Sequence, residues 1–134
     1  MTTMPPEDIV SRYLKNKGEQ IKPVYFLSST VFLGWKLRRG AMELVYRLDP
    51  DNQLIICDLS AQESGSGMQS AMLDFVHFVK EVKRAVLDVS HVRGTFFIPM
   101  SNPELANARR RLMKFLEGQG AHWEEIDAQP WLVF

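Results

Sequence analysis

Gln53-Leu-Ile-Ile-Cys-Asp-Leu-Ser60 is a mostly apolar run that opens, after Ala61, into Gln62-Glu-Ser-Gly65-Ser-Gly67. The run reads as a strand, and the glycine-bearing stretch reads as a loop. From there Met68, Met72, Phe75, Val79, Val82 and Val86 recur at steps of four and three. That stripe predicts one apolar face of a helix of about five turns. Asp74, Lys80, Glu81, Lys83 and Arg84 are expected to face away from it. Beyond Asp88–His91, the segment Val92-Arg-Gly-Thr-Phe-Phe-Ile98 reads as another strand, closed by Pro99. Strand, loop, helix and strand in succession predict a βαβ crossover, with Gln53–Ser60 parallel to Val92–Ile98.

The same reading extends outward in both directions. Upstream, Ile9, Val10, Tyr13 and Leu14 share a face behind Pro5 and Pro6, and Gly18 suits the end of a short helix. Gln20–Leu27 reads as a strand that Pro23 confines to an edge or an end. Thr30–Arg38 and Ala41–Leu48 read as a hairpin around Arg39-Gly40, and Asp49-Pro-Asp-Asn52 as the turn into Gln53. Downstream, Asn102 and Pro103 mark the start of a helix with Leu105, Ala108, Leu112, Phe115 and Leu116 inward and Gly118 and Gly120 at its end. His122–Ile126 and Trp131–Phe134 read as a closing hairpin around Asp127–Pro130. The expected class is α/β (α+β), with a mixed, mostly antiparallel sheet in the order α-ββββ-α-β-α-ββ. One domain over 1–134 is expected, with a helix in 1–19 and the sheet and two long helices in 20–134.

Composition narrows the chemistry. The 134 residues carry 16 basic and 16 acidic side chains, so no global charge draws the chain toward nucleic acid or membrane. The lone Cys57 reads as a small buried hydrophobe in a reducing compartment. No apolar stretch approaches the roughly 20 residues of a membrane helix, and 1–8 has no signal-peptide pattern. A cytoplasmic protein is expected. Arg109-Arg110-Arg111 with Lys114 spreads around its helix and reads as a solvated face.

The element order, together with Gln62, Gly65 and Gly67, resembles the GCN5-related N-acetyltransferase (GNAT) fold over about residues 20–134. There an R/Q-x-x-G-x-G/A loop after the fourth strand grips the pyrophosphate of acetyl-CoA, and these three residues match its motif positions. The resemblance implies acetyl-CoA as cofactor, with Asp58, on the fourth strand, as a candidate base. The chain departs from the pattern in several ways. Glu63 places a carboxylate in the loop, and no basic residue lies between Ser60 and Lys80. Phe115 stands where the family commonly has a tyrosine acid. Only Ser-Ser-Thr separates Leu27 from Val31, where the family carries acceptor-site helices. The residues alone also allow blander readings, in which the loop is a glycine turn before a helix and Asp58 lies on a solvated face.

A narrower likeness is spread over Leu33-Gly34, Leu44-Val-Tyr-Arg47, Arg84-Ala-Val-Leu87 and the helix around Arg111–Phe115. In these places the chain resembles the low-calcium-response regulator R family of type III secretion systems. That resemblance implies a cytoplasmic regulatory or accessory protein that binds protein partners and needs no cofactor. The alternatives are an acetyl-CoA-dependent N-acetyltransferase and a small secretion chaperone. A protein partner is expected to be gripped by exposed aromatics, with Trp35 and Trp131 as the candidates. A homodimer is compatible with this reading. His77, His91 and His122 have no spacing suited to a metal or a triad, so no metal site is expected.

Overall fold

A computed structural model describes residues 7–25, 29–61, 67–94, 103–126 and 128–133. Helix α1 (Ile9–Asn16) precedes four strands, β1 (Ile21–Tyr25), β2 (Phe32–Arg39), β3 (Met42–Leu48) and β4 (Gln53–Ala61). Helix α2 (Gly67–Ala85), strand β5 (His91–Gly94) and helix α3 (Pro103–Gly118) follow. The hairpin of β6 (His122–Ile126) and β7 (Gln129–Val133) completes the series. The strands form one seven-stranded sheet in the order β1-β2-β3-β4-β5-β7-β6. Every neighbouring pair is antiparallel except β4 and β5, which run parallel with Gln53 opposite His91 and Ile56 opposite Gly94. The chain is therefore a mixed α/β domain, and α2 is the connection between its two parallel strands.

Local chemistry explains the ends of these elements. Asp8 caps α1, its Oδ1 accepting from Ser11 N at 2.7 Å, and Gly18 closes it at φ +89°. Gly40, at φ +57°, takes the first place of the two-residue β2–β3 turn, which L side chains rarely tolerate. Asp49 shapes the β3–β4 turn by accepting from Asp51 N at 2.9 Å and Gln53 N at 2.8 Å. No helix among the described residues is long and apolar enough to cross a membrane.

The helices gather on one face of the sheet. Leu37, Leu44, Tyr46, Leu54, Ile56, Leu59, Val92 and Leu132 point into a single cluster with Val10 and Leu14 of α1. Phe75, Phe78, Val79 and Val82 of α2 and Leu116 of α3 join it. The stripe read from the sequence is thus buried at Phe75, Val79, Val82 and Val86, and Ala71, Val76 and Phe78 widen it. The side chains of Met68 and Met72 lie outside the described residues. A bulge in the β3–β4 ladder keeps the pattern in phase. Val45 pairs with Asp58 but Tyr46 with Ile56, so Cys57 is the extra residue. Strict alternation from Ile56 would turn Asp58 inward; the bulge sends it out and brings Leu59 in. At Gly34, beside the same place, an added Cβ would stand 2.5 Å from the Tyr46 carbonyl oxygen and 3.2 Å from Val45 Cγ1.

Two acids expected on the outer side of α2 are instead its ties to the rest of the chain. Asp74 accepts from Ala41 N at 2.9 Å, fixing the β2–β3 turn against the helix. Glu81 receives Tyr13 Oη at 3.0 Å, Lys17 Nζ at 2.8 Å and Arg39 Nη1 at 3.2 Å, and Arg39 also donates from Nε to Glu19 at 2.8 Å. Deeper in, Ser11 and Tyr46 hydroxyls meet at 2.8 Å. Burial pushes the Tyr46 phenol well above its usual range, and Ser11 offsets only part of that. Burial would raise Glu81 too, but hydrogen bonds from Lys17, Tyr13 and Arg39 prevail and hold its carboxyl at about 2.

Replacing Phe75, which has no exposed surface, by alanine is expected to destabilise the fold by about 3–5 kcal/mol in denaturant titration. A loss under about 1 kcal/mol would mean that another face of α2 is buried. Glu81 gives a pH signature. Its folded pKa is depressed from 4.5, so its contribution is present above that pH and disappears as pH falls from 4.5 toward 2. Glu81→Gln is expected to lower stability at neutral pH by about 1–2 kcal/mol, allowing for solvent screening, and to flatten the acid limb of the stability curve. An unchanged acid limb would exclude the carboxylate as the tie.

Candidate functional site

Strand β4 carries Cys57, Asp58 and Ser60 close to its end at Ala61. Gly67 is the first residue of α2, whereas Gln62 and Gly65 lie outside the described residues, as do Glu63 and Asn102. Of the three motif residues only Gly67 is described. Asp58 is exposed on the helix-free face, opposite Val45. Its neighbour Cys57 is half-buried with Sγ 3.7 Å from the Leu33 carbonyl oxygen. Burial pushes the Cys57 thiol up, opposed by Arg47 and reinforced by Asp58, which makes it a poor nucleophile. Phe115 is half-buried and packs against the core cluster. His77, His91 and His122 are all exposed, on α2, β5 and β6, and among the described residues no three metal-ligating side chains come together.

Strand registers arrange the helix-free face into rows. One row runs Lys22, Lys36, Val45 and Asp58 across β1 to β4. A second places Arg38 against Glu43 and Ser60. A third runs Arg47, Ile55, Arg93, Val133 and His122 across β3 to β6. At the β1 end the rows enclose an open cleft of about 410 Å³ lined by Glu19, Gln20, Lys22, Lys36 and Arg38. At the other end Arg93 lies over the Trp131 ring, 4.7 Å from its centroid, and reaches Asp49 at 3.5 Å. Arg93 Nε is buried there without a hydrogen-bond partner.

The tryptophans divide differently from the expectation. Trp35 is only 1% exposed and belongs to the core, so it is withdrawn as a partner anchor. It shares the inward side of β2 with Leu37, while Lys36 and Arg38 take the outward side. Its ring packs edge-on against Phe32 at 5.6 Å, and its Nε1 is buried without a hydrogen-bond partner. Trp131 is half-buried beneath Arg93. The exposed one is Trp123, at 44%, in edge strand β6. Its indole N–H donates to Glu117 of α3 at 3.0 Å, which fixes the ring at the rim of the sheet. Beside it lies a shallow hollow of about 320 Å³ formed with Glu124, Glu125, Ala128 and Pro130. Flanked in sequence by the exposed His122, Glu124 and Glu125, Trp123 is the one large apolar side chain in that polar run, which is the signal that could have singled it out.

Compared with protein families, curated proteins and solved structures, the chain matches none of them.

Proposed function

We propose that this chain is a cytoplasmic protein-binding module, a regulatory or accessory component of type III secretion on an abbreviated acetyltransferase-like fold. The observation that carries the binding part is Trp123. A large aromatic stands nearly half exposed on an edge strand and is held in one orientation by Glu117. Aromatic anchors of this kind supply much of an interface's energy, and a ring already fixed loses little entropy when a partner arrives. The secretion assignment rests on the resemblance spread over residues 33–47, 84–87 and 111–115. Trp131, on the opposite side of the β6–β7 hairpin, gives the same hairpin a second aromatic surface, capped by Arg93.

The rival reading, an acetyl-CoA-dependent N-acetyltransferase, is favoured by one observation. The parallel strands β4 and β5 are joined by a helix that begins at Gly67. Against it stand Glu63 in the loop sequence and the apolar, core-facing Phe115 in place of an acid. Calorimetry with acetyl-CoA is expected to show no micromolar binding. Tight binding abolished by Gly67→Val would transfer the assignment to the enzyme, because a side chain there obstructs phosphate approach to backbone N–H groups.

The binding reading has its own test. Purified from the native bacterium under secretion-inducing conditions, the protein is expected to bring down a component of the secretion apparatus. Trp123→Ala should weaken that complex by more than about 2 kcal/mol with the melting temperature nearly unchanged. Recovery of no secretion component, with secretion unaltered on deletion of the gene, would overturn it.

A further inference from the structure

The cleft at the β1 end of the helix-free face has a charge arrangement that the protein itself leaves unbalanced. Lys22 and Lys36 are direct cross-strand partners, a placement in which like charges repel. Lys36 Nζ reaches Glu43 at 3.1 Å, and Arg38 Nε reaches the same carboxylate at 3.3 Å. Glu43 thus serves two cations. Lys22 has no ion pair among the described residues. Glu19 also lines the cleft, but its carboxylate is engaged by Arg39 from the other side. Three cations therefore line the hollow with Glu19 and Gln20, and the one carboxylate that pairs with any of the three, Glu43, is shared by two of them.

We propose that this cleft binds a compact polyanion, a small ligand with two or more phosphate or carboxylate groups. An anion between Lys22 and Lys36 removes the repulsion built into their pairing. Arg38 is 63% exposed and uses Nε toward Glu43, so its terminal nitrogens retain the fork that matches phosphate or carboxylate. The volume of about 410 Å³ falls in the range of small-molecule sites. Strand addition fits this edge poorly, because Pro23, in the middle of β1, offers no N–H to a neighbouring strand. The ligand is accordingly held by side chains rather than by a backbone ladder. The site is separate from the β6–β7 hairpin at the opposite edge of the sheet and does not depend on its role.

Calorimetry with pyrophosphate tests the assignment. The full-length protein is expected to bind it saturably at one site, more weakly as salt rises. The double variant Lys22→Gln/Arg38→Gln should weaken binding by about tenfold or more, the scale of lost charge-assisted contacts. Both side chains are largely exposed, so the melting temperature should stay within a few degrees. Arg47→Gln, on the same face but outside the cleft, should leave binding unchanged. No binding of pyrophosphate at millimolar concentration would overturn the proposal. So would equal weakening by Arg47→Gln, which would indicate diffuse charge across the face. A glutamate-rich peptide or single-stranded DNA that binds through Lys22 where pyrophosphate does not would also overturn it, by making the surface a macromolecular one.

Discussion

Two parallel neighbouring strands cannot be joined by a hairpin, and the pairing of β4 with β5 governs most of what surrounds it. The chain must leave the sheet after β4, cross one face and return, and α2 is that crossing. Once α2 lies there, its apolar side needs a continuous surface of inward residues on β2, β3, β4 and β5. The strands supply it, from Leu37 through Leu44 and Ile56 to Val92. The opposite face carries charge at Lys36, Arg38, Arg47 and Asp58, around the buried Val45, Ile55 and Val133. Core and candidate surfaces are consequences of one strand direction.

Polar ties then fix what apolar packing leaves adjustable. Phe75 and Val79 press α2 onto the sheet, but burial is nondirectional and would tolerate some sliding. Glu81 links α2 to α1 and to the end of β2, while Asp74 holds the turn that follows. Tyr46 and Ser11 do the same for α1 at greater depth. Each of these contacts joins segments more than 30 residues apart, so the first helix is positioned by groups that appear much later in the chain.

Much of this arrangement could be read from the sequence. The four-and-three spacing of Phe75, Val79 and Val82 specified a buried helix face, and the strands on either side implied the parallel pair. Trp35 does not belong with the exposed aromatics, and the alternation of Trp35 and Leu37 with Lys36 and Arg38 already assigns it inward. Asp74 and Glu81 occupy the polar side of their helix in any periodic reading. Their role depends on which segments fold back to meet them, and periodicity does not encode that. Asp58 is subtler still, since one extra residue in β4 decides its direction. The cleft was least legible because it depends on the exact register of neighbouring strands, which the apolar pattern does not fix. Only the registers bring Lys22 to Lys36 and set Arg38 beside Glu43.

Gly34 carries a further implication. The contact that a Cβ would make with the Tyr46 carbonyl is with backbone, which lacks the freedom of a side-chain tip to step aside. Strands β2 and β3 can therefore approach as they do only while position 34 is bare, and this closeness occurs where β4 takes its extra residue. For recognising remote relatives, the Gly34-Trp35 pair followed by a bulged third partner strand is a more discriminating mark than the apolar residues around it, many of which can be exchanged. A related chain with a side chain at that position should have a wider β2–β3 separation there, because only backbone can give way.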